Sequence, residues 1–440
     1  MEKLILILLP LCINLGLMAQ SLTIEDAVDY ALENSYEVRQ ARLDVADADA
    51  RISETLSTGL PKIDGTVRYQ YYPDVPNFLI PAQFADPDAP AGSFIALAAG
   101  TKQSLSAGLD LNALLFDGSF FVGLQAARVF KDLTQKEGNE TRQEVIWNVR
   151  RAFYSALLVK EQISELDRNL ENLEKLLTET RALYREGFSE LLDVRRLELN
   201  FNTLQSRRDQ MAKTDSLTQN ILKFQMAWPM DKPIEITGNL EEMAKQWMVQ
   251  QVQLDYQYSD RPDYSVMEVT QELTELNVKQ IRMGYLPKLY AFASHNQNLR
   301  RDNLFNNSEI GWLKTTSVGA TLSVPIFDGL EKKYQSQRAK ISMEKVTEGK
   351  NQLREVIDME VQNNHIRFNN AVKSWEDSKA LLDLSEEIYD TVLIKYREGM
   401  GSSYELIQAE QDLFEARTQH LNTLYEILET RAQLEKSLGS

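Results

Sequence analysis

The chain has 440 residues and a formal net charge of −17, and its only cysteine is Cys12. This acidity argues against a nucleic-acid partner, because polyanions attract basic surfaces. No run of 18 apolar residues follows the N-terminal leader, so the sequence predicts no transmembrane helix.

The first 19 residues have the features of a secretory signal peptide. One lysine precedes an apolar stretch from Leu4 to Leu11, and the segment ends at Ala19, although Leu17 is larger than usual at its position before the cut. A lipoprotein signal at Cys12 is the weaker alternative, since Leu11 is large where a small residue is expected. Removal of residues 1–19 leaves a mature chain without cysteine, which excludes disulfides and thiol chemistry.

A helix is predicted from Thr23 to about Ser57. Its apolar residues recur at helical spacing, and Thr23 can cap its N-terminus with Asp26 three residues later.

Four runs of alternating polar and apolar residues are predicted as strands, near 62–72, 104–116, 287–298 and 315–327. Each run has the length of a tilted strand that crosses a bilayer. A proline-rich segment, 73–103, separates the first two runs and excludes continuous helix or strand there.

The helices after the second and fourth strands are predicted to be very long. Residues 118–185 contain no proline, and their leucines follow heptad spacing. A continuous helix of 68 residues would be about 100 Å long. Helical hairpins are therefore predicted over 118–227 and 329–438, each turning at the sequence YREG.

The chain is built from two copies of one unit. The tripeptide Phe-Asp-Gly ends at Gly118 and again at Gly329, an offset of 211, and the two YREG motifs are offset by 212. This predicts a first repeat over 20–228, a linker over 229–262 and a second repeat over 263–440.

Four membrane strands cannot close a barrel, and an open edge in lipid leaves backbone groups unpaired at several kcal/mol each. Closed membrane barrels begin at about eight strands. The chain is therefore expected to oligomerise as a dimer or a trimer, and an aqueous lumen favours the trimer.

The ordered set GLPK, two strands, FDG, long helix and YREG, present twice, resembles the TolC-type outer membrane factors. The resemblance implies a mixed α/β membrane protein: a homotrimer whose twelve-stranded β-barrel continues into a long antiparallel coiled-coil α-barrel across the periplasm. It implies the exit duct of an efflux pump or type I secretion system in a Gram-negative outer membrane. Outer membrane lipid, a periplasmic adaptor and an inner-membrane pump would be its partners, with no cofactor.

The resemblance also implies a gate, where the adaptor would dock, at the two helix turns. The candidate gate residues are Tyr184, Gly187, Asp193, Tyr396, Gly399 and Glu405. Gly401 and Gln408 depart from the family pattern of an Arg and a second acid, which argues against an Arg-mediated lock and a double acidic ring. Alternatively, the glycines are ordinary helix ends and the two acids lie on solvated helix faces.

The repeated tripeptide is predicted to mark the seam between each membrane strand and its long helix. Its residues are Phe116, Asp117 and Gly118 in the first copy and Phe327, Asp328 and Gly329 in the second. The phenylalanines would lie at the membrane boundary, the aspartates would cap the helices, and the glycines would ease the bend.

No pattern indicates catalysis, metal binding or cofactor binding. The three histidines are unclustered, and the chain has neither HExxH, GxSxG nor a glycine-rich phosphate loop. Two non-enzymatic alternatives to a duct remain. A periplasmic coiled-coil structural or adaptor protein would leave the four strands unexplained, and a nutrient-uptake porin would have no use for the long helices.

Overall fold

A computed structural model describes residues 21–98, 100–249, 254–304 and 311–439. The predicted signal peptide and Cys12 lie outside the described residues. The described residues divide into two compact units, one within 1–45, 133–268 and 348–440 and the other within 46–132 and 269–347. No described helix is both long enough and apolar enough to span a membrane.

Eight α-helices account for most of the described chain. They are α1 (Ile24–Asn34), α2 (Tyr36–Ser57), α3 (Gly118–Arg185), α4 (Leu191–Met226), α5 (Leu240–Val249), α6 (Pro262–Met283), α7 (Glu331–Arg397) and α8 (Ser403–Leu438). The two long helices, α3 and α7, have 68 and 67 residues. Both helices are continuous over these bounds.

Eight strands form three sheets among the described residues. The strands are β1 (Ser21–Leu22), β2 (Lys62–Tyr71), β3 (Asn77–Pro81), β4 (Phe94–Ala98), β5 (Gln103–Phe116), β6 (Glu235–Ile236), β7 (Lys288–Arg301) and β8 (Leu313–Ser323). Strands β1 and β6 form a short parallel pair. Strands β3 and β4 form a short hairpin inside the proline-rich segment.

The predicted N-terminal helix is interrupted at Ser35. Thr23 and Asp26 form the expected capping box, with Asp26 N donating to Thr23 Oγ1 at 3.2 Å. The backbone of Ser35 leaves the helical region with ψ 149°, and its hydroxyl accepts a hydrogen bond from Val38 N at 3.3 Å. Ser35 therefore ends α1 and caps α2, since a serine hydroxyl competes with the backbone of a helix.

The first unit holds two apolar clusters along its helices. The larger one includes Phe153, Tyr154 and Leu157 of α3, all buried. The smaller one lies towards the helix turns. It contains Leu166 and Leu173, two of the leucines of α3 that follow heptad spacing. Helices α3, α4 and α8 all contribute to it, so burial of leucines holds the two helical hairpins together at this level.

The second unit contains a four-stranded antiparallel sheet in the order β2-β5-β7-β8. Strands β2 and β8 are its edges. One face carries exposed apolar side chains on both edge strands, with Val67 at 77% and Val318 at 80% exposure. The predicted combination of long helices and antiparallel strands in one chain is confirmed.

The first Phe-Asp-Gly lies at a strand-to-helix junction. Phe116 is the last residue of β5, and the Asp117 carboxylate accepts from Ser119 N at 2.8 Å at the start of α3. It also pairs with Lys288 Nζ at 2.8 Å. A Cβ on Gly118 would meet Leu286 Cδ1 at 3.0 Å, so this glycine permits close packing against the residues after α6.

The second Phe-Asp-Gly corrects the predicted strand end. Strand β8 ends at Ser323, so Phe327 is not on the strand, contrary to the prediction of a strand near 315–327. Pro325 has no N–H for the ladder, and the partner strand begins at Lys288, which is paired with Ser323. Gly329 has φ +64°, a left-handed conformation that favours glycine.

Candidate functional site

The two YREG turns have the same backbone geometry. Gly187 has φ +82° and Gly399 has φ +73°. Phe188 N donates to Leu183 O, and Met400 N donates to Lys395 O, both at 2.8 Å. These bonds satisfy carbonyls at the ends of α3 and α7, as expected for glycine-terminated helices. Both glycines therefore have the conformation of ordinary helix ends.

Asp193 connects the two helical hairpins. Within its own turn, it accepts hydrogen bonds from Glu190 N and Ser189 Oγ, both at 3.3 Å. Its other oxygen accepts from Ser403 Oγ at 2.5 Å, and Ser403 is only 1% exposed at the start of α8. The Asp193 carboxylate thus caps α4 and ties α4 to α8.

Tyr396 makes a second connection, between α7 and α3. Its hydroxyl lies 3.1 Å from Thr180 Oγ1. Burial is the largest cause that raises the pKa of Tyr396, so the phenol stays neutral and can donate or accept. Its counterpart Tyr184 is 42% exposed. The two tyrosines occupy equivalent positions in the repeats, but they differ in environment.

Glu405 is exposed and bonded within its own helix end. It forms a capping box with Ser402: Glu405 N donates to Ser402 Oγ at 3.2 Å, and Ser402 N donates to the Glu405 carboxylate at 3.3 Å. Its described hydrogen bonds are therefore local, unlike those of Asp193.

A cavity of about 1140 Å³ lies between the two turns. Four candidate gate residues line it, namely Gly187, Asp193, Tyr396 and Gly399. Tyr184 and Glu405 lie outside its lining. A weak ion pair at its edge joins Arg397 to Glu179 at 3.8 Å. The structure therefore brings together residues from both helical hairpins that are about 210 positions apart in the sequence.

Sequence reasoning missed the partners of the two candidate side chains. Ser403 and Thr180 were not singled out, and neither was Arg196, which donates to Ser403 Oγ at 3.4 Å. One local signal was present: Ser402 and Glu405 have the spacing of a capping box and mark the start of α8. No local pattern identifies contacts between segments this far apart.

The model of the family described as outer membrane efflux protein matches residues 27–223 and 258–440. The chain belongs to this family. The resemblance to TolC-type factors, inferred from the repeated motifs, is confirmed.

Relatives of this outer membrane efflux protein are distant in sequence. The alkaline protease secretion protein AprF of Pseudomonas aeruginosa is 22% identical over 346 residues, spanning 74% of this chain and 68% of AprF. The outer membrane protein TolC of Vibrio cholerae is 19% identical over 346 residues, spanning 76% of this chain and 77% of TolC. The crystal structure of the Campylobacter jejuni CmeC outer membrane channel is similar with a TM-score of 0.70 and 16% identity, covering 94% of this chain and 85% of CmeC.

Proposed function

We propose that this outer membrane efflux protein is the exit duct of a tripartite efflux pump or type I secretion system. It conducts substrates passively from an inner-membrane transporter and a periplasmic adaptor to the outside. Three copies join their sheets into a twelve-stranded barrel in the outer membrane, and their helical hairpins form an α-barrel in the periplasm. Residues 20–228 and 263–440 act as the two repeats, with 229–262 as the linker.

The observation that carries this proposal is the four-stranded sheet with an apolar face. Its edge strands, β2 and β8, expose apolar side chains, and among the described strands each has a neighbour on one side only. In lipid, unpaired backbone groups at both edges would cost several kcal/mol each. Pairing of β8 in one copy with β2 in the next removes every edge when the ring closes.

We propose that the gate lies at the two helix turns. Closing it requires that the hairpins stay together, and the Asp193–Ser403 and Thr180–Tyr396 contacts join them within one chain. The adaptor binds the turns and favours a packing in which these contacts are broken. Opening is then a shift between two packings, which requires that the adaptor bind the open one more tightly.

The two alternatives account for less of the molecule. A periplasmic coiled-coil or adaptor protein has no role for the sheet and its exposed valines. A nutrient-uptake porin has no role for helices of 68 and 67 residues.

The test places cysteines on the sheet edges. Val67→Cys in β2 combined with Val318→Cys in β8, in a Cys12→Ser background, should cross-link into dimers and trimers with a flexible bis-maleimide in outer-membrane fractions. Val67→Cys with Ala107→Cys is the matched control, because these residues are direct partners within one chain. That pair should give only monomers.

Function is then measured on the same membranes. Detergent-extracted protein should run as a trimer and show low conductance in planar bilayers that rises when the turn contacts are removed. Recovery of the protein as a soluble periplasmic monomer would contradict the proposal and favour the coiled-coil alternative. High conductance in all variants would favour the porin.

A further inference from the structure

A second polar contact joins α4 to α8 one heptad beyond Asp193 and Ser403. Asn200 follows Asp193 by seven residues, and Glu410 follows Ser403 by seven. The Asn200 side-chain amide donates to the Glu410 carboxylate at 2.7 Å. Seven residues of helix are about 10 Å, so both contacts lie on one seam between the hairpins.

Glu410 is a buried carboxyl beside the smaller apolar cluster. It is 5% exposed, and the neighbouring positions Leu197, Leu204 and Leu406 belong to the smaller apolar cluster. A cavity of about 320 Å³ with a mostly polar lining adjoins it. Burial raises the pKa of Glu410 to about 7, and the hydrogen bond from Asn200 only partly opposes this effect.

Glu410 also lines a second, smaller cavity, and charged and titratable groups from four helices line the two cavities with it. They are Glu165 of α3, Arg207 of α4, Glu386, Tyr389 and Asp390 of α7, and Arg417 of α8.

The two arginines that line these cavities contact groups other than Glu410. Arg417 pairs with Glu386 at 2.8 Å and with Glu165 at 3.4 Å, while Arg207 lies over the Phe414 ring at 6.0 Å. None of the described ion pairs includes Glu410.

Glu198, which aligns with Glu410 in the first proposed repeat, is bonded to arginines, unlike Glu410. Glu198 lies 212 residues before Glu410 and accepts hydrogen bonds from Arg181 at 2.7 Å and Arg195 at 2.8 Å. These bonds lower the pKa of Glu198. Glu198 therefore stays ionised near neutral pH, which makes it a matched control.

We propose that Glu410 is a proton-controlled latch of the helix turns: the protonated carboxyl stabilises the closed packing of α4 against α8, and loss of the proton favours the open packing. This inference rests on the proposed function, because the closed and open packings are those of the gate. The latch needs no further ligand, since the adjoining cavity can admit water to the ionised carboxylate.

The direction of the pH effect follows from linkage. A carboxyl with a raised pKa in the closed packing stabilises it fully below the usual pKa of glutamate. That contribution is lost as the pH rises through about 7. If Glu410 is hydrated in the open packing, the open-to-closed ratio rises about tenfold between about pH 6 and about pH 8.

The experiment measures the open probability of purified trimers in planar bilayers between pH 6 and 8, from which the open-to-closed ratio follows. Glu410→Gln keeps an oxygen that can accept from Asn200 and removes the titration, so its profile should be flat. Glu198→Gln should keep the wild-type profile. Asn200→Ala removes the bond that lowers the pKa of Glu410, so its midpoint should move to higher pH. A mere loss of packing would not move a midpoint.

A second readout does not require conduction. Hydrogen–deuterium exchange of the first turns of α4 and α8, corrected for intrinsic rates, should increase from pH 6 to 8 in wild type and not in Glu410→Gln. A conducting channel with a flat wild-type profile, or the same profile in Glu410→Gln, overturns the latch alone. Absence of channels overturns the proposed function, and exchange then decides whether Glu410 still controls the seam.

Discussion

Removing the hydroxyl of Ser403 is the most direct perturbation of the proposed gate. Ser403 donates to Asp193 at 2.5 Å, and this is the shortest described hydrogen bond between α4 and α8. A hydrogen bond to a charged group contributes about 1.5–3 kcal/mol. Asp193 keeps its bonds to Ser189 and Glu190 and can take up water, so Ser403→Ala should cost the lower figure.

A loss of about 1.5 kcal/mol from the closed packing changes the open-to-closed ratio about tenfold for each chain. The assay is single-channel open probability in planar bilayers at constant pH. Ser402→Ala is the matched control, because Ser402 caps α8 within its own helix. It should lower helix stability by about 1 kcal/mol without raising open probability.

A double-mutant cycle isolates the contact. Asp193→Asn, Ser403→Ala and the double variant should show a coupling energy of about 1 kcal/mol or more. Two results would refute the reasoning: coupling near zero, or equal effects of the Ser403 and Ser402 substitutions. Either would mean that the turns are held closed by contacts other than this one.

Three further experiments test the helix turns and the strand-to-helix junction at Gly329. Gly399→Ala should lower the free energy of unfolding by about 1–2 kcal/mol, because alanine is strained at positive φ. By contrast, Gly349→Ala within α7 should raise it by about 0.5–1 kcal/mol, and equal melting temperatures would contradict this. Gly329→Asn should be tolerated better than Gly329→Val in thermal unfolding, since asparagine accepts the left-handed region. Asp193→Asn with Glu405→Gln should weaken cation preference, measured as reversal potential, and an unchanged value would place both acids outside the lumen.

The local features of the chain were predictable from sequence. Helix α3 begins at Gly118 and ends at Arg185 as the motifs indicated, and Thr23 caps α1. Such features depend on neighbours within a few residues, where periodicity and capping rules apply. The break at Ser35 was missed because a single serine can either continue or cap a helix.

The contacts that close the turns could not be predicted. Asp193 is paired with Ser403 and Asn200 with Glu410, each across 210 residues. Helical periodicity predicts that these positions face a core, and it does not give the partner. The end of β8 at Ser323 likewise depends on where its partner strand begins, which the alternating pattern of one strand does not contain.

The different environments of Glu198 and Glu410 have a consequence for the symmetry of a ring built from several chains. If two identical units alternated around a ring, every copy of this glutamate would be buried or none would be. In a fused chain the halves can diverge, so a trimer would bury three carboxyls and leave the three alternating ones in ion pairs. In the proposed trimer, the fusion of two repeats in one chain would convert sixfold equivalence into threefold symmetry. The proposed latch would then let one half of each chain respond to protons while the other half does not.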